Sequence, residues 1–363
     1  MKYYRLDKIL KCNAQYNIIV SGRSDGKTYA CLEHIIERYF DTDEVEQGAI
    51  IRRWQDDFTG KRGQQMFASI VSNGLIEKYS NGKWNNVRYY ASKWYMCKYD
   101  SEAGKIIETS DRPFCYGFAI TAQEHDKSTA YPDICNILFD EFITRGGYLP
   151  DEFVLFCNVL STIIRERDNV RIFMCGNTIN KYCPYFAEMG INHVDQMEQG
   201  TIDIYRYGDD SALTVAVEFP ATNRLFKKKS NVYFAFDNPK LQMITSGIWE
   251  LDIYKHIPRK YAPKEVVFNF FIQFESQLLH CEVVEGSNDI FVAVHPKTTP
   301  IQNPLTDLIY TTQITDGLPN VRKTFLRPVD QIDRKISLLY NMGKFFYCDN
   351  NTGDILKNFL DVA

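Results

Sequence analysis

Residues 21–28, SGRSDGKT, have the residue types of a phosphate-binding loop. They differ from the pattern G-x-x-x-x-G-K-[ST] at one position, where Ser21 stands in place of glycine. In this pattern Gly26 lets a phosphate approach the backbone, Lys27 reaches the β- and γ-phosphates, and Thr28 ligates Mg²⁺. The stretch therefore predicts a site for ATP and Mg²⁺ whose residues are Ser21, Gly22, Arg23, Ser24, Asp25, Gly26, Lys27 and Thr28.

The sequence around this loop favours the same interpretation. The apolar run YNIIV ends at Val20, and apolar residues recur at helical spacing over Lys27–Phe40. A strand would thus lead into the loop and a helix would leave it, with backbone N–H groups and the helix dipole directed at an anion. The alternative is an ordinary strand–turn–helix joint. Asp25 is discordant, because its carboxylate would repel a triphosphate; we expect its side chain to point outward or to be paired.

A pair of carboxylates follows a second apolar run. Asp140 and Glu141 end the stretch that begins at Asn136. At the tip of a strand beside the loop, Asp140 would hold Mg²⁺ through water, and Glu141 would orient and activate the attacking water. An acid after a strand can also cap a helix. The two acids together predict hydrolysis, whereas the N-K-x-D base reader of a GTPase is incomplete at Asn180–Cys183.

Polar residues beyond the next strand are further candidates. The apolar run Val170–Cys175 ends in Gly176 and Asn177, which places an amide where a γ-phosphate sensor is expected. A buried or capping asparagine is the alternative. Before that strand, Arg165 and its neighbouring arginines are either surface charge or a finger that reaches the nucleotide of an adjacent subunit.

The order of elements predicts an α/β fold. Apolar runs at 16–20, 48–53, 134–139 and 170–175 alternate with helical patterns, which is typical of a parallel sheet covered on both faces. Aromatic and polar residues alternate over 84–110 between turn signals, so we expect inserted hairpins there. We expect domains at 1–222 and 261–363, joined by a linking module at 223–260.

Composition narrows the class of protein. The 363 residues include 45% hydrophobic and 24% charged residues, so the chain can bury sizeable cores. Its formal net charge is −4, so nucleic acid contact must come from local basic patches. Ten cysteines without a C-x-x-C pair indicate reduced core residues, and no stretch has the length of a membrane span. Two basic stretches are candidate DNA contacts or simply solvated faces: Lys227, Lys228 and Lys229, and Lys61 with Arg62.

Several ordered blocks occur together over roughly residues 16–190. They are Gly22-Arg23, Gly26-Lys27-Thr28, Arg52-Arg53, Ala130-Tyr-Pro132, Phe139-Asp-Glu-Phe142, Tyr148-Leu-Pro150, Arg165-x-Arg167-x-x-Val-Arg171, and Asn177 with Pro184-Tyr-Phe186. In these blocks the chain resembles the DNA-packaging ATPases of small short-tailed phages, which are related to large terminase subunits.

This resemblance implies an additional-strand, catalytic-glutamate ATPase domain followed by an RNase H-like domain. It implies a homo-oligomeric ring, expected to be a pentamer, that drives duplex DNA into a prohead through the portal in the host cytoplasm and is absent from the mature virion. Arg23 would be the arginine of the phosphate loop, Arg165 the trans finger, and Asn177 part of the coupling segment. Whether a structural RNA joins the portal stays open.

The second domain is expected to have lost nuclease activity. Its candidate first strand, Val266–Phe274, contains no acid, although a two-metal nuclease needs carboxylates gathered there. Two other functions stay open for the whole chain. A helicase acting on single strands would unwind DNA, and a nucleotide-dependent assembly scaffold would keep its assembly function after Glu141→Gln.

Overall fold

The computed structural model describes residues 3–125, 129–144, 148–179, 183–191, 193–209, 212–221, 254–287, 289–313 and 317–363. The chain divides into two compact units, 1–145 with 151–249 and 146–150 with 250–363. Residues 223–253 of the predicted linker at 223–260 lie outside the described residues. The domain limits at 222 and 261 stay predictions. No described helix is long and apolar enough to span a membrane.

In the described part of the first unit, ten strands form one sheet in the order β3-β4-β6-β2-β7-β8-β1-β10-β9, with β5 paired to β4. The six strands from β6 to β10 in this order are parallel. The strands are β1 (Tyr16–Ser21), β2 (Gln47–Arg52), β3 (Asn86–Tyr90), β4 (Lys93–Asp100), β5 (Lys105–Thr109), β6 (Cys115–Ala119), β7 (Ile134–Asp140), β8 (Arg171–Asn177), β9 (Thr201–Tyr207) and β10 (Leu213–Phe219).

Helices cover both faces of this sheet, which explains the continuous apolar runs of its central strands. Leu138 of β7 packs in the cluster formed with the helix after the phosphate loop. Its neighbour Phe139 faces the other way and stacks on Phe156, with ring centroids 4.8 Å apart. The helices of this unit are α1 (Asp7–Leu10), α2 (Lys27–Asp41), α3 (Gly60–Gln65), α4 (Ala68–Ser72), α5 (Leu75–Tyr79), α6 (Glu152–Ile164) and α7 (Pro184–Glu188).

In the described part of the second unit, six strands form one sheet in the order β15-β14-β11-β12-β13-β16. Strands β11, β12 and β13 are successive antiparallel neighbours, and the turn between β11 and β12 contains Glu275 at φ 52°. The elements are β11 (Val266–Phe274), β12 (Gln277–Glu285), β13 (Ile290–Pro296), β14 (Ile309–Thr311), β15 (Val321–Arg322), β16 (Phe345–Tyr347), α8 (Gln331–Asn341) and α9 (Asn350–Val362). The predicted α/β class is confirmed for the chain.

Acidic residues of the second unit have structural partners. Asp349 caps α9 by accepting from the Thr352 N–H at 2.7 Å. Asp354 accepts from the Tyr254 hydroxyl at 2.8 Å. Among the described residues, no group of three or more histidine, cysteine or acidic side chains is arranged to hold a metal ion. Loss of nuclease activity stays a prediction.

Candidate nucleotide site

The phosphate loop (residues 21–28) joins the carboxyl end of β1 to the start of α2. Gly26 precedes the helix with φ 91°, a left-handed conformation that side chains disfavour, so glycine is required there. Lys27 is the first residue of α2, and the Ala30 N–H donates to the Gly26 carbonyl at 2.9 Å. The amino end of α2 thus presents its backbone N–H groups towards the loop, as an anion site requires.

The side chain of Lys27 is hydrogen-bonded to the first residues of this loop. Its side chain is buried, and its Nζ donates to the Ser21 carbonyl at 3.2 Å, the Ser21 hydroxyl at 3.0 Å and the Gly22 carbonyl at 2.9 Å. It also donates to Oδ1 of Asn177 at 3.1 Å. Ser21 therefore gives the ammonium an acceptor that glycine would lack. The amide predicted as a γ-phosphate sensor lies directly beside the lysine.

The loop closes onto the acidic tip of β7. The Thr28 hydroxyl donates to Oδ1 of Asp140 at 2.8 Å. Asp140 is 4% exposed, and this burial raises the pKa of its carboxyl, whereas Arg52 and Thr28 oppose the rise. A hydroxyl and a carboxylate side by side are hard oxygen donors, the set that Mg²⁺ prefers when phosphate and water complete its shell. Thr28 and Asp140 therefore fit the predicted metal site.

Arg52, at the end of β2, bridges both carboxylates. Its Nη2 donates to Oδ2 of Asp140 at 2.6 Å, and its Nη1 donates to Oε2 of Glu141 at 2.7 Å. The Glu141 side chain is 66% exposed, and its backbone has φ 59°, a conformation uncommon outside glycine. The sequence signal for this bridge was the Arg52-Arg53 pair after the second strand, but nothing local identified its partners.

A buried network supports the turn that follows Glu141. Arg53 donates from Nε and Nη2 to the two oxygens of Glu152 at 2.8 and 2.7 Å. Its Nη2 also donates to the Phe142 carbonyl at 3.0 Å, and the Tyr185 hydroxyl donates to Glu152 at 2.9 Å. Glu152 and Tyr185 were not predicted as site residues from the sequence. Their network fixes the backbone beside the exposed carboxylate of Glu141.

These residues surround a cleft of about 460 Å³ at the carboxyl edge of the sheet. Its walls combine charged groups with an apolar side formed by Leu32, Met66 and Ile70. Among the predicted site residues, the cleft lining contains Arg23, Ser24, Asp25, Gly26, Lys27, Thr28, Asp140, Glu141 and Asn177.

Arg165 does not line this cleft. It follows α6 and precedes β8, so it lies at the amino edge of the sheet, whereas β8 reaches the cleft at Asn177. Its Nη2 donates to the Thr129 carbonyl at 3.1 Å, and its backbone has φ 53°. The length of β8 therefore separates Arg165 from the cleft. Arg167 has a structural place, since it donates to the carbonyls of Tyr131, Pro132, Ile134, Ile163 and Ile164.

The predicted DNA contacts are only partly described. Lys61 and Arg62 are exposed on the short helix α3. Lys227, Lys228 and Lys229 lie outside the described residues.

Comparison with known proteins agrees with the sequence resemblance. Residues 103–235 match the family described as Podovirus DNA encapsidation protein (Gp16). The chain is 27% identical over 185 residues to the DNA packaging protein of Bacillus phage B103, covering 48% of each chain. It is 24% identical over 187 residues to that of Bacillus phage phi29, covering 51% of this chain and 49% of the relative. The chain thus spans about half the length of the curated relatives it matches.

Solved structures of packaging motors match nearly the whole chain. The bacteriophage Phi-29 viral genome packaging motor assembly matches with a TM-score of 0.55 at 18% identity, covering 99% of both chains. The Phi-28 gp11 DNA packaging motor matches with a TM-score of 0.54 at 16% identity, covering 99% of this chain and 97% of the other. These structural matches establish the fold. Together with the sequence matches, they confirm the predicted similarity to phage DNA-packaging proteins.

Proposed function

We propose that this chain is the ATPase of a phage DNA-packaging motor. ATP would bind in the cleft at the phosphate loop, and its hydrolysis would drive duplex DNA into a prohead. The proposal is carried by the contact between Thr28 and Asp140, because it joins the phosphate loop to an acidic strand tip within a fold shared with packaging motors. The similarity to curated packaging proteins supports the same interpretation.

The loop supplies the chemistry of triphosphate binding. Backbone N–H groups at the amino end of α2 would bind phosphate oxygens, and Lys27 would exchange some of its loop acceptors for the β- and γ-phosphates. Thr28 and Asp140 would hold Mg²⁺, which supplies positive charge to the phosphate oxygens. Arg23 lines the same cleft and is the expected arginine of the loop.

Glu141 is the proposed group that orients and activates water. In this structure one of its oxygens accepts from Arg52, so the bridge must open before that oxygen can accept a proton from water. Asn177 contacts Lys27 and would sense the γ-phosphate through the lysine, because any movement of Nζ towards phosphate changes that hydrogen bond. These two contacts connect the state of the nucleotide to β2 and β8.

Arg165 is proposed to act on the nucleotide of a neighbouring subunit. Its position at the amino edge, away from its own cleft, supports a role in trans, and its backbone conformation is one often held for function. This role requires a homo-oligomeric ring, which we propose to be a pentamer. A finger of this kind stabilises the charge of the transferring phosphoryl group.

The partners follow from the proposed motor function. Duplex DNA and the portal of the prohead are the proposed partners, and the host cytoplasm is the proposed location. The use of a structural RNA at the portal is left open. A translocating motor must move any sequence, so it should bind phosphates rather than bases. Lys61 and Arg62 are the described candidates for this contact.

The test is ATP hydrolysis by the purified protein, alone and with duplex DNA and cognate proheads. We expect activity that rises with proheads and DNA. Glu141→Gln should keep ATP binding while it lowers hydrolysis by about 10²–10⁴-fold and stops packaging. Unwinding of DNA would favour a helicase instead, and assembly that survives Glu141→Gln without any ATPase activity in the wild type would favour a scaffold.

A further inference from the structure

The amino-terminal segment packs on the outside of the phosphate loop. The N–H of Tyr4 donates to the carbonyl of Asp25 at 2.9 Å. A Cβ atom at Gly26 would lie 3.1 Å from the Cβ of Tyr3, so this segment covers the left-handed glycine closely. The contact is made by backbone atoms and does not depend on the Asp25 side chain.

The side chain of Tyr4 is held in turn by a buried carboxylate. Its hydroxyl donates to Oε2 of Glu218 at 2.6 Å. Glu218 is 3% exposed on β10, beside Ile19 of β1, and burial raises the pKa of its carboxyl while the Tyr4 hydrogen bond opposes that rise. Burying a carboxylate costs free energy unless it is paired. The presence of Glu218 among the apolar residues of β10 therefore suggests that its hydrogen bond with Tyr4 has a function.

Peptide geometry connects this anchor to the cleft. The Asp25 carbonyl and the Gly26 N–H belong to one trans peptide plane and point in opposite directions. When Tyr4 holds the carbonyl on the outer side, the Gly26 N–H is turned to the other side, and Gly26 lines the cleft. The chain of contacts therefore runs from Glu218 through Tyr4 to the peptide that carries the Gly26 N–H, in the lining of the cleft.

We infer that Tyr4 and Glu218 are positioning residues for the phosphate loop, and that they act by orienting the Gly26 N–H towards the triphosphate. The inference rests on the proposed function, because it assigns a task at the same nucleotide site. Neither residue lines the cleft. Since the loop binds phosphate in the ground state and the transition state alike, loss of the brace should weaken binding without slowing chemistry.

The test compares KM and kcat for ATP among matched variants. Tyr4→Phe removes only the hydroxyl and should raise KM about tenfold, with kcat within about twofold of the wild type. Glu218→Leu should act in the same way, because it leaves the hydroxyl without an acceptor. Glu218→Gln should stay within about twofold of the wild type, since its amide oxygen still accepts the hydrogen bond.

Tyr207→Phe is the matched control. The Tyr207 hydroxyl donates to the Met189 carbonyl at 2.5 Å, at the far end of the β9–β10 pair from Glu218, so its removal costs a hydrogen bond away from the loop. It should lower the melting temperature as Tyr4→Phe does and leave KM unchanged.

Two results would overturn the inference itself. Tyr4→Phe could raise KM no more than Tyr207→Phe does, or Glu218→Gln could raise it as much as Glu218→Leu. If Tyr4→Phe does not fold, the comparison of KM between Glu218→Leu and Glu218→Gln still tests the inference. A wild-type protein that binds no ATP would instead overturn the proposed function, and this inference with it.

Discussion

Arg52 and Asp140 form an ion pair at 2.6 Å between neighbouring strands, at the point where the phosphate loop meets β7. The two side chains are 15% and 5% exposed, so both charges are largely withdrawn from water. The same guanidinium bonds Glu141, whose side chain is 66% exposed. One arginine therefore neutralises a buried acid and holds an accessible one, and the two contacts should differ in their contribution to stability.

Removal of Arg52 should destabilise the protein chiefly through Asp140. Arg52→Gln leaves a buried carboxylate without its cation, so we expect the free energy of unfolding to fall by about 3 kcal/mol. The double variant Arg52→Gln/Asp140→Asn should cost less than the sum of the two single changes, because neither charge is then left alone. Urea denaturation of the four proteins measures this coupling, and simple additivity would contradict it.

Glu141→Gln is the control for that cycle. It removes the exposed half of the bridge, so it should change the free energy of unfolding by less than about 0.5 kcal/mol. A cost comparable to that of Arg52→Gln would mean that Glu141 is a main structural partner of the arginine.

The role of Arg165 in trans can be tested with mixed rings. Arg165→Ala should lower kcat by about 10³-fold or more and keep ATP binding, because the side chain lies away from its own cleft. Mixing these subunits with Lys27→Ala subunits, which cannot bind ATP, should restore activity at interfaces where an intact finger meets an intact loop. ATPase activity as a function of the mixing ratio measures this effect, and no recovery at any ratio would exclude the trans role.

Arg167→Ala provides the comparison for Arg165→Ala. Because Arg167 donates to five carbonyls of its own chain, its loss should lower the melting temperature by several degrees. Its subunits should not be rescued selectively by Lys27→Ala partners. A trans effect from Arg167 equal to that of Arg165 would show that the two arginines had been assigned in the wrong order.

The sequence predicted those parts of the fold that depend on local pattern. A helix was expected between the apolar runs at 134–139 and 170–175, and α6 (Glu152–Ile164) lies there. Strand β7 follows its apolar run and continues one residue further, to Asp140. No strand was predicted at β9 or β10. Strand β9 is at an edge and carries mixed polar and apolar residues, and the apolar pattern of β10 is interrupted by Glu218, whose use depends on Tyr4. Such an acid looks unfavourable in a strand until its partner is known.

The ion pairs at the site join residues that are far apart in the sequence, and for that reason the sequence did not reveal them. The loop and the acid pair were visible as motifs, because each occupies a few consecutive residues. Arg53 meets Glu152 across 99 positions, and Arg52 meets Glu141 across 89. A sequence shows that an arginine follows a strand, but the identity of its carboxylate is decided by the order of strands in the sheet.

Replacement of Asp25 should not weaken nucleotide binding. Tyr4 contacts the backbone carbonyl of Asp25, so Asp25→Ala keeps that hydrogen bond while it removes a negative charge from the cleft lining. We expect the Kd for ATP with Mg²⁺ to stay equal or to fall, as measured by equilibrium titration. A large rise in Kd would show that the carboxylate itself supports the loop.

DNA binding by Lys61 and Arg62 should appear in the salt dependence of affinity. In Lys61→Ser/Arg62→Ser, the slope of log K against log[salt] should become shallower by about 0.9 for each phosphate that the protein no longer neutralises. Lys105→Ser, which removes an exposed cation from β5, is the control and should leave the slope unchanged. Fluorescence anisotropy with a duplex at several salt concentrations measures both. Equal slopes for all three proteins would assign Lys61 and Arg62 to a solvated face.

His34 should make the first unit sensitive to mild acid. It lies on the buried face of α2, with its ring edge-on to Phe173 at a centroid distance of 5.4 Å. Burial, together with the nearby Arg171 and Arg38, lowers the pKa of its imidazole from 6.5 to about 4, whereas Glu46 opposes this shift. Between these two values the unfolded chain binds the proton and the folded chain does not. Stability is therefore complete above pH 6.5 and falls as the pH is lowered towards 4.

The expected size of this effect can be measured against a variant without the imidazole. Between pH 7.5 and 5, protonation of His34 in the unfolded chain should lower the free energy of unfolding by about 2 kcal/mol. His34→Gln should show a pH dependence that is smaller by that amount in urea denaturation. Between pH 7.5 and 8.5 the two proteins should behave alike, because the imidazole is neutral in both states there. An unchanged dependence below pH 6.5 would mean that His34 is protonated as readily in the folded protein as in the unfolded one.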